Sequence, residues 1–172
     1  SRLQFSDIDK FCLQNTTNRL VFVDNHYSPD LSNVADSQIQ ILGNLHSLMS
    51  SHASTIESHL GHYAKFDHDI FTALNTAFLH DSALIIVPAK TCITEPIHLL
   101  FIASQQEVSS YPRSLVVSGP DSKVTLIEDY VSINQSSYIT NTVTEIRLAA
   151  HAQVEHIRVQ RDSKQAHHLA NC

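Results

Sequence analysis

Glycine is scarce in this chain. Its 172 residues include 3 glycines, where average usage of about 7% would supply about twelve. A backbone cradle for phosphate is hard to build from so few, and no G-x-G-x-x-G, Walker-type or G-x-S-x-G pattern occurs. A nucleotide site of the chain's own is therefore not expected. Turns must rest instead on Asn, Asp, Pro and Ser, which reach turn geometry through local hydrogen bonds. "VDNHYSPD", "SGPDS" and "SINQSS" are stretches of this type.

Cysteine is also sparse. Cys12, Cys92 and Cys172 are odd in number and far apart, with no C-x-x-C. A disulfide framework does not follow, and a reducing cytosol fits better. Cys12 and Cys92 are expected as small buried apolar residues. Basic charge is in deficit, with 11 Lys and Arg against 17 Asp and Glu, net −6. That disfavours nucleic acid, whose phosphates supply most of such affinity to a basic patch. Apolar runs of the ~20 residues needed to span a bilayer are missing. The chain opens at Ser1 without a signal-peptide pattern and closes on "AHHLANC". It is expected to be a piece of a longer protein.

The first part reads as a small α+β region, residues 1–82. "RLVFVDNHYSPDLS" (19–32) is a strand, a turn at Asp24-Asn25 and a short return. "SQIQIL" (37–42) alternates like a strand. From Asn44 the pattern turns helical, with Leu45, Leu48 and Met49 on one stripe, then Ile56 and Leu60, and Gly61 as C-terminal cap. Asp69 caps a second helix whose stripe is Ile70, Leu74 and Phe78.

From Ala83 the character changes. Short apolar runs begin near Ala83, Ile97, Arg113, Lys123, Tyr138 and Gln153, with no long helical pattern between them. Such spacing fits a sandwich, a barrel or a solenoid. In "TNTVTEIRLAAHAQVEHIRVQ" (140–160) two β-like runs flank a small-residue corner. Alternation places Ile146, Leu148, Ile157 and Val159 inward, and Arg147, His156 and Arg158 outward.

The chain's 12 histidines raise the question of metal. His59, His62 and His68 form one grouping, broken by Gly61 and lacking H-E-x-x-H; exposed residues at a helix end are expected. His151, His156, His167, His168 and Cys172 form a second, a weak candidate for zinc or iron because its spacing matches no ligand motif. Glu128, Asp129, Glu145 and Glu155 form a third, possible acid–base carboxylates expected to be solvated strand ends. A carbohydrate-active β-helix enzyme would need two such carboxylates at a defined separation. A cupin-like barrel would need histidines gathered inside it.

Particular words then matter more than spacing. "DIFTALNTAFLHDSALIIVPAKTCITEPIHLLF" (69–101), "YPRSLVVSGPDSKVTLIEDYVS" (111–132) and "NTVTEIRLAAHAQVEHIRVQRDS" (141–163) resemble the SufB/SufD family of iron–sulfur cluster assembly proteins. "LVFVDNHYSPDLS" (20–32) is similar to the region before the core in SufD rather than SufB. The resemblance implies a mainly β chain. Its fold would be a right-handed parallel β-helix, here residues 83–172 and partial, behind the α+β region; that hand agrees with the rule for parallel crossovers. It implies a cytoplasmic, non-enzymatic scaffold that acts with a SufB-like scaffold and a SufC-like ATPase. The iron–sulfur cluster would be handled by the whole complex, with no cofactor held by this chain. The ATPase-docking region and the family's cluster-handling residues lie beyond Cys172, so no catalytic or metal residue carries over. An uncovered last rung is expected to self-associate near Val154–Ala170 or to fray there.

Overall fold

The computed structural model describes residues 3–14, 16–35 and 41–172. A short helix α1 (Phe5–Ile8) and a 3-10 turn (Asp9–Phe11) lead into β1 (Arg19–Val23) and β2 (His26–Tyr27). Asp24 and Asn25 both adopt positive φ between them, as a tight antiparallel hairpin requires. Of the strand expected at 37–42, residues 37–40 lie outside the described residues; Ile41 and Leu42 open β3 (Ile41–Asn44). Helices α2 (Leu45–His59) and α3 (Ile70–Ala77) follow, then β4 (Ala83–Val87), β5 (Ile97–Ala103), β6 (Ser109–Ser110), β7 (Arg113–Ser118), β8 (Lys123–Ser132), β9 (Ile139–Leu148), β10 (Gln153–Arg161) and β11 (His167–Asn171). The run starts expected from Ala83 onward fall at, or one residue from, the starts of six of these strands.

The strands form two mixed sheets, ordered β10-β8-β5-β1-β2 and β11-β9-β7-β4-β3, with β6 beside β9. From β4 onward the described chain passes back and forth between them, with β6 and β7 both in the second, and pairing within each sheet is parallel apart from the β3–β4 pair. Each strand finds its partner about thirty residues downstream, the signature of a repeating supersecondary unit: Ala83 beside Ser114, Arg113 beside Val143, Lys123 beside Gln153. Corresponding corners stack as well. Lys90, Asp121 and His151 each hold positive φ, and Lys90 N–H donates to Pro120 O while Asp121 N–H donates to Ala150 O. Residues other than glycine thus take the left-handed positions. Gly119 is different: a Cβ there would lie 2.6 Å from Ala89 N, so the two corners can meet only without one.

Between the sheets lies an apolar core including Leu20, Ile85, Leu99, Val116 and Leu126. Phe22, Phe101 and Tyr130 occupy equivalent places on β1, β5 and β8 and stack at 5.3 and 5.0 Å between ring centres. A second cluster on the outer face of the β5 sheet (Leu100, Ile102, Val131) is covered by Ile8 and Leu31. A third (Leu84, Leu115) lies beneath Ile56 of α2. Leu45, Leu48 and Leu60 join that third cluster as expected, while Met49 is 38% exposed.

Helix α3 departs from expectation. Asp69 caps it as anticipated, accepting from Phe71 and Thr72 N–H. Yet Ile70, Phe71, Leu74 and Phe78 are exposed, and the buried residues are Thr72 and Asn75. The cause is the surface beneath, which is polar. Asn75 Nδ2 donates to Pro112 O and Asn141 O, and Arg113 donates to Asn75 Oδ1 and Thr76 Oγ1. Asn141 Nδ2 returns a bond to Phe71 O. A buried polar surface must be hydrogen-bonded, and only the polar side of the helix can do that.

Candidate functional site

Strand β10 is turned opposite to its expected phase. Its parallel, in-register pairing with β8 puts His156 beside Leu126 and Arg158 beside Glu128; Ile97 and Leu99 of β5 complete the same two ladders. Side chains in register share a face, so His156 and Arg158 point between the sheets, their side chains 16% and 22% exposed. Ile157 is 40% exposed, and Leu148 at the end of β9 is 46% exposed. Ile146 packs against the inner core and Arg147 is exposed, both as expected. The inner face thus changes along the stack, from Ile97 and Leu99 through Leu126 and Glu128 to His156 and Arg158.

Glu128 is the hub of this polar end. It is fully buried, contrary to its expected place at a solvated strand end. It accepts from Thr144 Oγ1 at 2.9 Å, His156 Nε2 at 3.0 Å and Arg158 at 3.4 Å. Burial pushes its carboxyl up, but His156 and Arg158 outweigh that and hold it below the usual range. His156 in turn is pushed up to about 9, by contact with Cys172 first and Glu128 second, against its own burial. Cys172 Sγ lies 4.0 Å from His156 Nδ1. The imidazole therefore stands between a thiol and a buried carboxylate.

The other candidates disperse. His151 is exposed in its corner and His167 is exposed on β11. His168 is largely buried, with Nδ1 2.9 Å from Asp162 and its ring edge-on to Tyr130. Of the second grouping, His156 and Cys172 come together, and no set of three ligating groups that could hold a metal ion forms among the described residues. His59 stacks on Tyr63 and His62 is exposed. Cys92 is exposed rather than buried; Cys12 is half-buried and bonds Ile8 O.

The remaining carboxylates hold elements together. Glu145 is buried on the outer face of β9, beneath the segment joining α2 to α3. It accepts from Gly61 N–H and Tyr63 N–H, both at 2.9 Å, from Ala64 N–H at 3.3 Å, and from Arg113, itself 1% exposed. Burial pushes its carboxyl up; these donors outweigh it and hold it low. Asp129, also buried, pairs with Arg161 and lies 3.5 Å from His98 Nε2 on the opposite sheet face. Glu155 alone of the four is exposed, as expected. Composition gives no signal for the role of Glu145, because its partners lie about thirty and about eighty residues away in sequence, and only folding closes such loops.

Two family models match successive parts of the chain. The SufBD protein N-terminal region matches residues 10–99, and the SUF system FeS cluster assembly, SufBD core domain, matches residues 101–172. An iron–sulfur cluster assembly SufBD family protein of Synechocystis is 37% identical over 88% of this chain and 36% of its own length. The iron–sulfur cluster assembly protein SufD of Escherichia coli is 23% identical over 95% of this chain and 37% of its own. The chain thus spans a little over a third of the length of these relatives. Matched in order by both models over nearly all its residues, the chain belongs to the SufB/SufD family of iron–sulfur cluster assembly proteins.

Proposed function

We propose that this chain forms part of a SufD-like scaffold subunit of the SUF system, non-catalytic and cytoplasmic, acting with a SufB-like scaffold and a SufC-like ATPase. The iron–sulfur cluster is the cargo of that complex, and the chain holds no cofactor of its own. The alternating strands are turns of a right-handed parallel β-helix, and further turns in the longer protein add to β10 and β11, the edges expected to self-associate when uncovered. One observation carries this reading: both family models match in chain order on a chain whose strands from β4 onward pass back and forth between two sheets and pair in parallel within each. A carbohydrate-active site gains no support. Glu128, Asp129 and Glu145 are buried and separately paired, so they do not converge on a water-accessible bond. The decisive experiment is purification of the full-length tagged protein from its own cells, with the co-purifying chains identified. Recovery of SufB-like and SufC-like proteins is expected; recovery without either refutes the proposal.

A further inference from the structure

Helix α3 presents an apolar side to solvent. Its exposed residues are Ile70, Phe71, Leu74 and Ala77, with Phe78 at the C-terminal cap. All are apolar, and Ile70 is 76% and Phe78 55% exposed. Ile70, Leu74 and Phe78 stand four residues apart, so they form one stripe along the helix. Phe78 stacks on Tyr111 at 4.9 Å between ring centres, which carries the stripe onto the segment leading into β7. The helix is not free to roll and bury it. Thr72 and Asn75 are wholly buried, Asn75 and Thr76 accept from Arg113, and Asn141 donates to Phe71 O. A surface held this firmly loses little freedom when a partner is seated on it. The four large side chains of the helix expose roughly 400 Å², reckoned from the ~150–250 Å² that an aromatic side chain carries, a size at which apolar patches on single chains are often functional.

The stripe lies apart from the edges at which strands are added. α3 crosses the outer face of the second sheet, from Asn171 on β11 past Asn141 on β9 to Pro112 beside β7. Strands added beside β10 and β11 extend the sheets sideways, and Phe78 on Tyr111 stands two strands in from β11. Charge and area choose the occupant. From Phe66 to Ser82 the chain carries Asp67, Asp69 and Asp81 and no Lys or Arg. Asp67 is exposed and Asp69 caps the helix, so the N-terminal end of the stripe has an acidic rim. A second copy would bring the same aspartates against that rim, in a chain of net charge −6. The patch is also only about half of the ~800 Å² per partner of a standard stable interface. A straight stripe two turns long is matched instead by the apolar face of a single helix. We propose that the outward stripe of α3 is a docking surface for a basic amphipathic helix of a partner protein. That helix lays apolar residues three and four apart along Ile70, Leu74 and Phe78 and sets Lys or Arg against the acidic rim.

The test is photo-cross-linking of the full-length protein in its own cells, with p-benzoylphenylalanine in place of Phe78 and the joined peptides sequenced by mass spectrometry. The expected product is a segment of a different protein, with apolar residues at helical spacing and an excess of Lys and Arg. Ile70→Asp, at an exposed side chain, should cut the yield at least about tenfold at an unchanged thermal midpoint, because it removes an apolar anchor. The segment, synthesised, should bind the full-length protein, and exchanging its Lys and Arg for Glu should weaken binding at least about tenfold. A cross-link to a second copy, or to a later part of the same chain, overturns the proposal, as does the absence of any cross-link. A yield that Ile70→Asp leaves unchanged also overturns it, and so does an affinity indifferent to the charge exchange.

Discussion

Replacing Glu145 by Ala is the most demanding test of how the helical segment is held. The carboxylate is buried against Arg113, and three backbone N–H groups, those of Gly61, Tyr63 and Ala64, also point at it. Removing one partner of a buried pair costs about 3–5 kcal/mol, because the other charge is left uncompensated. The orphaned N–H groups would add about 1–3 kcal/mol each if they stayed dry. Tyr63 is 38% exposed, however, so water can reach part of the segment once it loosens. The expected loss is therefore about 4 kcal/mol, a large share of the roughly 5–15 kcal/mol that holds a domain folded. Urea unfolding measures it as a lower midpoint at constant slope, and hydrogen exchange should show the amides of residues 61–64 losing protection. Exposed Glu155→Ala serves as control and should stay within about 0.5 kcal/mol. Because the Glu145 carboxyl is held below its ordinary value, its contribution is present above that ordinary range and is lost as pH falls through the folded value. A loss under about 1 kcal/mol for Glu145→Ala, or unchanged exchange at residues 61–64, would refute the reasoning that removing a buried partner is costly here.

Other expectations rest on separate parts of the structure. On β10 the inverted phase makes Ile157→Ala cost under about 1 kcal/mol, whereas fully buried Leu99→Ala should cost about 2–5 kcal/mol by the same urea assay; equal costs would mean that Ile157 is buried. On α3, Asn75→Ala removes the partner of two carbonyls and of Arg113 and should cost about 2–3 kcal/mol, while Ile70→Ala, at a side chain 76% exposed, should cost almost nothing. His156 gains protons on folding, since its folded value of about 9 lies above the ordinary histidine value of about 6.5. Its contribution is fully present below that ordinary value and is lost as pH rises toward about 9, at most about 3 kcal/mol, a ceiling because Cys172 shares in it. Midpoints measured across that window should fall, and His156→Gln should flatten the fall. Gly119→Ala forces a Cβ to 2.6 Å from Ala89 N and should lower the thermal midpoint by the equivalent of about 1–3 kcal/mol.

What the sequence determined by itself is local. Asp24-Asn25 between two β-rich segments specifies a hairpin, because both residues tolerate positive φ. Asp69 before a helical pattern specifies a cap. The recurrence of short apolar runs from Ala83 located six strands, and the words around "ALNTAF" and "EHIRVQ" identified the family. What remained illegible is which of two faces is inside. Alternation along β10 separates His156 and Arg158 from Ile157 and Val159, but a period of two carries no sign. The sign came from β8, where Leu126 and Glu128 already faced inward and in-register pairing carried that parity forward. Buried Glu128 then made a cationic pair the favourable occupant of the next ladder, against the ordinary preference for apolar residues. Helix α3 turned for the same reason, its apolar stripe excluded by the polar groups of Arg113 and Asn141 and the carbonyl of Pro112 below it. Both choices were made by partners distant in sequence, whose proximity exists only after the two sheets have formed.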